Sequence, residues 1–170
     1  MADLISKLRE SYTPTTGKVE RLNVNKLIED VVSLYRKKLK QKNIELILEL
    51  CEGKCIVQGV PDQIKQVLIN LIQNSEDAIT HKEGGFIKLL TDCDHEKFII
   101  KIMDNGVGIH TEDINNIFEP FYSTKLPTKG SGLGLSICYS ILKKHNGNIF
   151  AQNTETGGAC FTVELPLTLH

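Results

Sequence analysis

The chain carries almost no net charge. Its 20 basic and 21 acidic residues leave a formal charge of −1 over 170 residues, and no basic stripe is interleaved with aromatics, which argues against nucleic acid as a partner. No apolar run approaches the length that spans a bilayer, and residues 1 to 16 lack the apolar centre of a secretory signal. Direct membrane contact is therefore not expected, and a cytoplasmic location is, whether or not a longer parent protein is anchored in a membrane. The paired short cysteine spacings of a zinc site are also missing. Cys51, Cys55, Cys93, Cys138 and Cys160 are odd in number and scattered, and read as reduced thiols. Cys51 and Cys55 form a CxxxC pair, but Cys55 opens an apolar strand-like run, which argues against a metal or redox role. No internal repeat or low-complexity tract is present.

What remains is 41% hydrophobic residues, enough for one core and one domain. Leu4, Ile5, Leu8 and Tyr12 fall at helical spacing before Thr13-Pro14-Thr15-Thr16-Gly17 breaks the pattern, which reads as the tail of a longer helix and a linker. Lys18 to Val24 is a strand candidate. Asn23 or Asn25 then caps a helix whose expected core face is Leu27, Ile28, Val31, Leu34, Tyr35 and Leu39. Ile44 to Leu50 and Ile56 to Val60 read as short strands. Pro61-Asp62 opens a helix with a buried stripe of Ile64, Val67, Leu68, Leu71, Ile72, Ser75, Ala78 and Ile79. Phe86 to Thr91 and Phe98 to Met103 form a hairpin ending at Asp104. Thr111 to Ile117 is a short helix candidate, Leu135 to Lys144 a longer one stopped by Asn146-Gly147, and Asn148 to Asn153 with Ala159 to Leu165 a terminal hairpin.

Three patterns carry chemistry. Asn70, Asn74 and Asp77 stand at i, i+4 and i+7, so they project from one narrow helix face. A carboxamide oxygen is a neutral hard ligand that suits a Mg²⁺ ion keeping most of its waters and touching phosphates; alone, the same face reads more readily as a solvated surface. Asp104 closes a buried strand ahead of Gly106 and Gly108, where its carboxylate can accept from an exocyclic amine such as adenine's while Ile109 packs on the ring. An Asp-Asn-Gly turn is the competing reading. Gly130, Gly132 and Gly134 precede a helix, so free amides and the positive end of the helix dipole converge where a polyphosphate can sit, or the glycines serve as a loop hinge. The cluster is neither a P-loop, since Leu135 stands where the lysine would be, nor a dinucleotide fingerprint. Lys125 and Lys129 lie just before it, able to neutralise phosphate or simply to face solvent.

The order Asn70-Leu71-x-x-Asn74, Asp104-x-Gly106-x-Gly108-Ile109, Phe118-Glu119-Pro120-Phe121-Tyr122-Ser123-Thr124-Lys125, Gly130-x-Gly132-Leu133-Gly134-Leu135 and Gly157-Gly158 resembles the catalytic ATP-binding domain of sensor histidine kinases. These would be its N, G1, F, G2 and G3 boxes, over roughly residues 18 to 167, and the Phe-Glu-Pro-Phe-Tyr-Ser-Thr-Lys run is most similar to the nitrogen-regulation and sporulation type. The resemblance implies an α+β fold, the two-layer Bergerat sandwich, with helices on one face of a mixed sheet and a lid over ATP. It implies domain limits of 1–16 for the end of a dimerisation helix and linker, Asp3 to Tyr12 being that helix end, and 17–170 for the catalytic domain. By position, Asn74 would bind Mg²⁺ and Asp104 the adenine amine. Gly130, Ser131, Gly132, Leu133, Gly134 and Leu135 would bind the phosphates, with Asp77, Ala78, Gly106, Gly108, Ile109, Tyr122, Ser123, Thr124, Lys125 and Thr162 completing the nucleotide contacts. Residues 110 to 129 would form the lid, packed down by Phe118, Phe121 and Tyr122. Two positions depart from the pattern: Asp77 replaces a common Lys or Arg, and Ala159 replaces a small hydroxyl residue, for which Thr162 is the nearby substitute.

The resemblance also implies which ATP chemistry to expect. Related ATP hydrolases such as gyrase and heat-shock chaperones, and anti-sigma serine kinases, place a general-base glutamate four residues before the metal-binding Asn. Here that position is Asn70, which cannot remove a proton. A histidine acceptor needs less help, since neutral imidazole is a competent nucleophile near neutral pH. Asn70, Asn74 and Lys125 are then the catalytic set, working by positioning and charge neutralisation. None of His81, His95, His110, His145 and His170 has the acceptor's helical, acid-flanked setting, and His145 reads as a helix cap. The expected partners are a histidine-bearing dimerisation domain of the same protein, with its acceptor upstream of residue 1, and a response-regulator receiver domain. A nucleotide-gated interaction module and an ATP-hydrolysing clamp are the alternatives.

Overall fold

A computed structural model describes residues 17–53, 55–79, 83–122, 132–155 and 157–168. The expected dimerisation-helix end, Asp3 to Tyr12, and the site candidates Ser123, Thr124, Lys125, Gly130 and Ser131 lie outside the described residues. Five strands form one mixed sheet. They are β2 (Ile44–Glu49), β4 (Gly85–Cys93), β5 (Lys97–Asp104), β7 (Ala159–Pro166) and β6 (Asn148–Asn153), in that spatial order, with β2 parallel to β4 and every other pair antiparallel. β1 (Glu20–Asn23) and β3 (Ile56–Gly59) make a separate antiparallel pair, with Val57 bridging to Leu167.

Three helices cover one face of the main sheet: α1 (Val24–Gln41), α2 (Pro61–Ala78) and α3 (Gly134–Lys144). Alternation along the strands decides which face. On β5, Phe98, Ile100, Ile102 and Asp104 are buried, and their partners Leu165, Val163 and Phe161 on β7 are buried with them. Lys101, by contrast, is exposed on the other side. Each fully buried Phe or Ile contributes about 1.5–3 kcal/mol, so this single inner face holds the domain together.

Asn23 caps α1, its side chain accepting from the Lys26 amide at 3.3 Å. Ile28, Val31, Val32 and Leu39 are buried as the periodicity requires, but Leu34 is 75% exposed. At 100° per residue it lies about 120° round from Ile28, too far to reach the sheet. Pro61 starts α2, where a missing amide hydrogen costs nothing. The segment 111–118 is not a regular helix. It is a run of turns with Asp113 as the hub, its carbonyl accepting from the amides of Asn116 at 2.8 Å and Ile117 at 3.0 Å. Asn146 stops α3 in the left-handed conformation (φ 54°), and the buried His145 ring joins α3 to β3's end by accepting from the Val60 amide at 3.0 Å.

Candidate functional site

α2 spans the site. At its middle, the Asn70 carboxamide donates to the carbonyl of Gly134 at 3.2 Å, clasping the start of α3. Five residues on, about 7.5 Å further along the axis, the Ser75 hydroxyl donates to Asp104 Oδ2 at 2.9 Å. Asn74 lies between them, half-buried. The helix thus bridges the glycine-led helix at one end and the carboxylate at the other.

Asp104 is 2% exposed, and three donors hold it: Ser75 on Oδ2, and the amides of Gly106 at 2.9 Å and Ala159 at 3.2 Å on Oδ1. A buried carboxylate costs several kcal/mol unless it is paired or hydrogen-bonded in this way. Its oxygens retain lone pairs for one more donor, the chemistry an exocyclic amine supplies. The Gly106 backbone runs against the end of α2, where a side chain would sit 2.7 Å from the Ala78 Cβ. Beyond it the Asn153 carboxamide brackets Ile109, accepting from its amide and donating to its carbonyl, each at 2.7 Å.

The turn 157–158 closes over the same carboxylate. At Gly158 (φ 105°) any side chain would lie 2.1 Å from the Asp104 carbonyl oxygen. The phosphate-side candidates sit at the start of α3: Leu133 is buried, Leu135 half-buried, and among the described residues no side chain caps the helix, so its first amides can receive an anion. Gly132, at φ 67°, accepts from the Phe121 amide at 3.0 Å, tying 121 to 132.

The expected lid anchors are only partly in place. Phe118 lies against the Tyr139 ring of α3 with centroids 6.2 Å apart, and the Tyr122 hydroxyl donates to the Asp113 carboxylate, a bond that raises the phenol's pKa. Phe121 is instead 67% exposed, because its left-handed backbone (φ 65°) turns the side chain outward while its amide meets Gly132. Thr162 does not join the site. It pairs with Lys101 in the ladder and so lies on the sheet face opposite Asp104. Asp77 is exposed near the end of α2, within electrostatic reach of Lys38 on α1. Ser75 and Asn153 are the site residues that sequence reasoning did not single out. The signal for Ser75 was a hydroxyl standing alone in an aliphatic stripe, next to Asn74.

The family of histidine kinase-, DNA gyrase B- and HSP90-like ATPases matches residues 59–169. The sensor histidine kinase ZraS of Klebsiella oxytoca is 32% identical over 164 residues, 96% of this chain and 35% of that protein. Sporulation kinase C of Bacillus subtilis is 35% identical over 145 residues, 85% of this chain and 33% of that protein. The chain therefore spans about a third of the length of these curated relatives. Among solved structures, the catalytic domain of histidine kinase ThkA superposes with a TM-score of 0.80 at 36% identity, covering 89% of this chain and 99% of that one. ThkA in complex with response regulator protein TrrA gives 0.80 at 31% identity, over 98% and 47%. The chain belongs to the histidine kinase-, DNA gyrase B- and HSP90-like ATPases, and within them it is a histidine-kinase catalytic domain.

Proposed function

We propose that this domain binds Mg-ATP and transfers the γ-phosphoryl group to a histidine on a dimerisation domain, from which a response-regulator receiver domain takes it. The observation that carries the reading is the buried Asp104 carboxylate, held by Ser75 and two amides beneath a glycine turn, at the far end of the helix that clasps α3. A buried carboxyl whose oxygens keep lone pairs beyond these three donors can accept from one more, and adenine's amine is a donor of that kind. The ThkA relative was crystallised with a response regulator, which supports the last step by analogy.

In this reading Asp104 accepts from the adenine amine, and Ile109, fixed by Asn153, packs against the ring. The uncapped amides of Gly134 and Leu135 face the phosphates, and Lys125 adds positive charge there. Asn74, a neutral oxygen donor half-exposed on the same side of α2, is the residue that would hold Mg²⁺, which when bound offsets phosphate charge. Asn70 has its amide group committed to Gly134 and offers no base to a water molecule, so α2 positions ATP without activating solvent. The imidazole acceptor supplies its own lone pair.

The test mixes the domain with labelled ATP and a dimerisation domain on a separate chain. Acid-labile label on that domain's histidine, dependent on both Mg²⁺ and Asn74, is the expected result. ATP binding with no transfer to any dimerisation domain of the family would leave a nucleotide-gated interaction module in its place. Steady phosphate release from ATP alone would make it a clamp, and robust histidine self-labelling would overturn the proposal outright.

A further inference from the structure

Cys51 follows β2, Cys55 stands immediately before β3, and Cys93 is the last residue of β4. The local spacing of Cys51 and Cys55 argued against a metal role, but the parallel pairing of β2 with β4 brings a third thiol to them, so that the three Sγ atoms lie within 4.8 Å of one another. Among the described residues this is the one place where three His, Cys, Asp or Glu ligand atoms converge. We propose that Cys51, Cys55 and Cys93 form a site for a thiophilic divalent cation of the zinc class, with three sulfur ligands and a fourth position left to water.

Size, softness and surroundings support this. Zinc–sulfur bonds of about 2.3 Å in a tetrahedron put sulfurs about 3.8 Å apart, so side-chain rotation closing each gap by about an ångström at most completes the cage. Three sulfurs without a carboxylate select a soft ion over Mg²⁺ or Ca²⁺. Cys55 is buried, whereas Cys51 and Cys93 are half-buried, which gives the cluster an inner wall and an outer opening for ion and water.

Cys51 is also held in place. Its amide donates to Thr91 Oγ1 at 2.9 Å, its carbonyl accepts from Asn25 Nδ2 at 2.9 Å, and that same amide group lies 3.8 Å from its sulfur. Thr91 Oγ1 stands 3.5 Å from the sulfur and donates to Asn25 Oδ1 at 2.9 Å. These contacts fix the direction of the Cys51 side chain, as partners behind a ligand do. On binding, three S–H bonds break, the protons pass to solvent, and three metal–sulfur bonds form with no change of oxidation state.

The location makes this site independent of the nucleotide reading. Ile87 of β4 pairs with Asp104, and Cys93 lies six residues further along the strand, about 20 Å away. A metal there would staple the start of α1, through Asn25, to the β2–β3 link and the end of β4.

The experiment titrates the reduced, metal-stripped protein with Co²⁺ and then with Zn²⁺, with no nucleotide present. The expected result is one equivalent of Co²⁺ with sulfur-to-metal charge-transfer absorption, displaced by Zn²⁺. Cys51 and Cys93, the two half-buried thiols, should lose reactivity to a thiol reagent under denaturant-free conditions once the metal is bound. Cys93→Ser and Cys51→Ser, both at half-buried positions, should weaken Zn²⁺ binding at least 100-fold while ATP binding is retained. No saturable uptake by the wild-type protein, or uptake unchanged in both variants, would overturn the proposal. If either variant fails to fold, the stoichiometry and sulfur absorption of the wild-type protein decide the matter alone.

Discussion

Asp104 shows how much one residue can ask of its neighbours. Replacing it by Asn turns one of the two accepting oxygens into a donor, so that it opposes either Ser75 or the amides of Gly106 and Ala159 and leaves fewer lone pairs for an incoming amine. Hydrogen bonds to a charged partner contribute about 1.5–3 kcal/mol, so Asp104→Asn is expected to weaken ATP binding roughly 10- to 150-fold by calorimetry. Ser75→Ala removes one of the three donors and should cost about 1 kcal/mol in the same titration, roughly fivefold. Unchanged affinity in both variants would remove the carboxylate from recognition. The carboxylate itself was legible in the sequence, because a strand ending in Asp ahead of two glycines is a local pattern. Ser75 and Asn153 were not, since the first serves a partner 29 residues away and the second one 44 away, and no periodicity encodes either meeting.

Between elements, the turn joining β6 to β7 offers a contrast inside one dipeptide. A Cβ at Gly157 (φ 78°) would meet nothing within 4 Å, whereas at Gly158 (φ 105°) the same atom would strike the Asp104 carbonyl oxygen at 2.1 Å. Gly157→Ala should therefore cost only the backbone term, about 1–2 kcal/mol, and keep ATP binding. Gly158→Ala adds a clash with main chain that has no side chain to yield, about 2–6 kcal/mol in all, and should lose ATP binding as it displaces Asp104. Equal behaviour of the two in denaturation and calorimetry would show that the turn does not set the carboxylate.

A second tie joins α1 to α2. Glu76 is 2% exposed, with Lys38 Nζ at 2.9 Å and Lys42 Nζ at 2.5 Å. Burial alone would raise its pKa, but the two lysine bonds outweigh it and hold the carboxyl below its ordinary 4.5. Its stabilisation is thus fully present above that value and is lost as the pH falls through the depressed one. Glu76→Gln should destabilise the fold by about 1–3 kcal/mol at neutral pH and flatten the acid limb of a stability–pH curve, which urea melts at several pH values would register. Elements whose pattern spans several turns, such as α2 and the β4–β5 hairpin, could be read from periodicity. The 111–118 turns could not, because apolar spacing over seven residues suits a helix and a coil of turns alike, and only the convergence of amides on Asp113 decides between them.

For the molecule as a whole, the fold class and the mixed sheet followed from motif order. The face that each strand residue takes followed only from register. Thr162 illustrates the difference: its place on β7 was evident, but its pairing with Lys101, and hence its distance from the site, depends on where β7 sits in the ladder. The same ladder routes α2, the 104–109 turn, the 157–158 turn and α3 to one end of the sheet, so a ligand held there touches elements from most of the chain. Such a ligand stabilises the native state by RT ln(1 + [L]/Kd), about 2.7 kcal/mol at a hundredfold excess over Kd. For a domain of this size each kcal/mol raises Tm by about 2–4 °C, so Mg-ATP at that excess should raise the melting point by about 5–11 °C. Asp104→Asn, melted at the same nucleotide concentration, should recover about a tenth to a half of the rise, while Glu76→Gln, whose side chain pairs with Lys38 and Lys42 of the neighbouring segment, should start lower and gain the full increment. A melting point indifferent to Mg-ATP in the wild-type protein would mean that this end of the sheet does not hold the nucleotide.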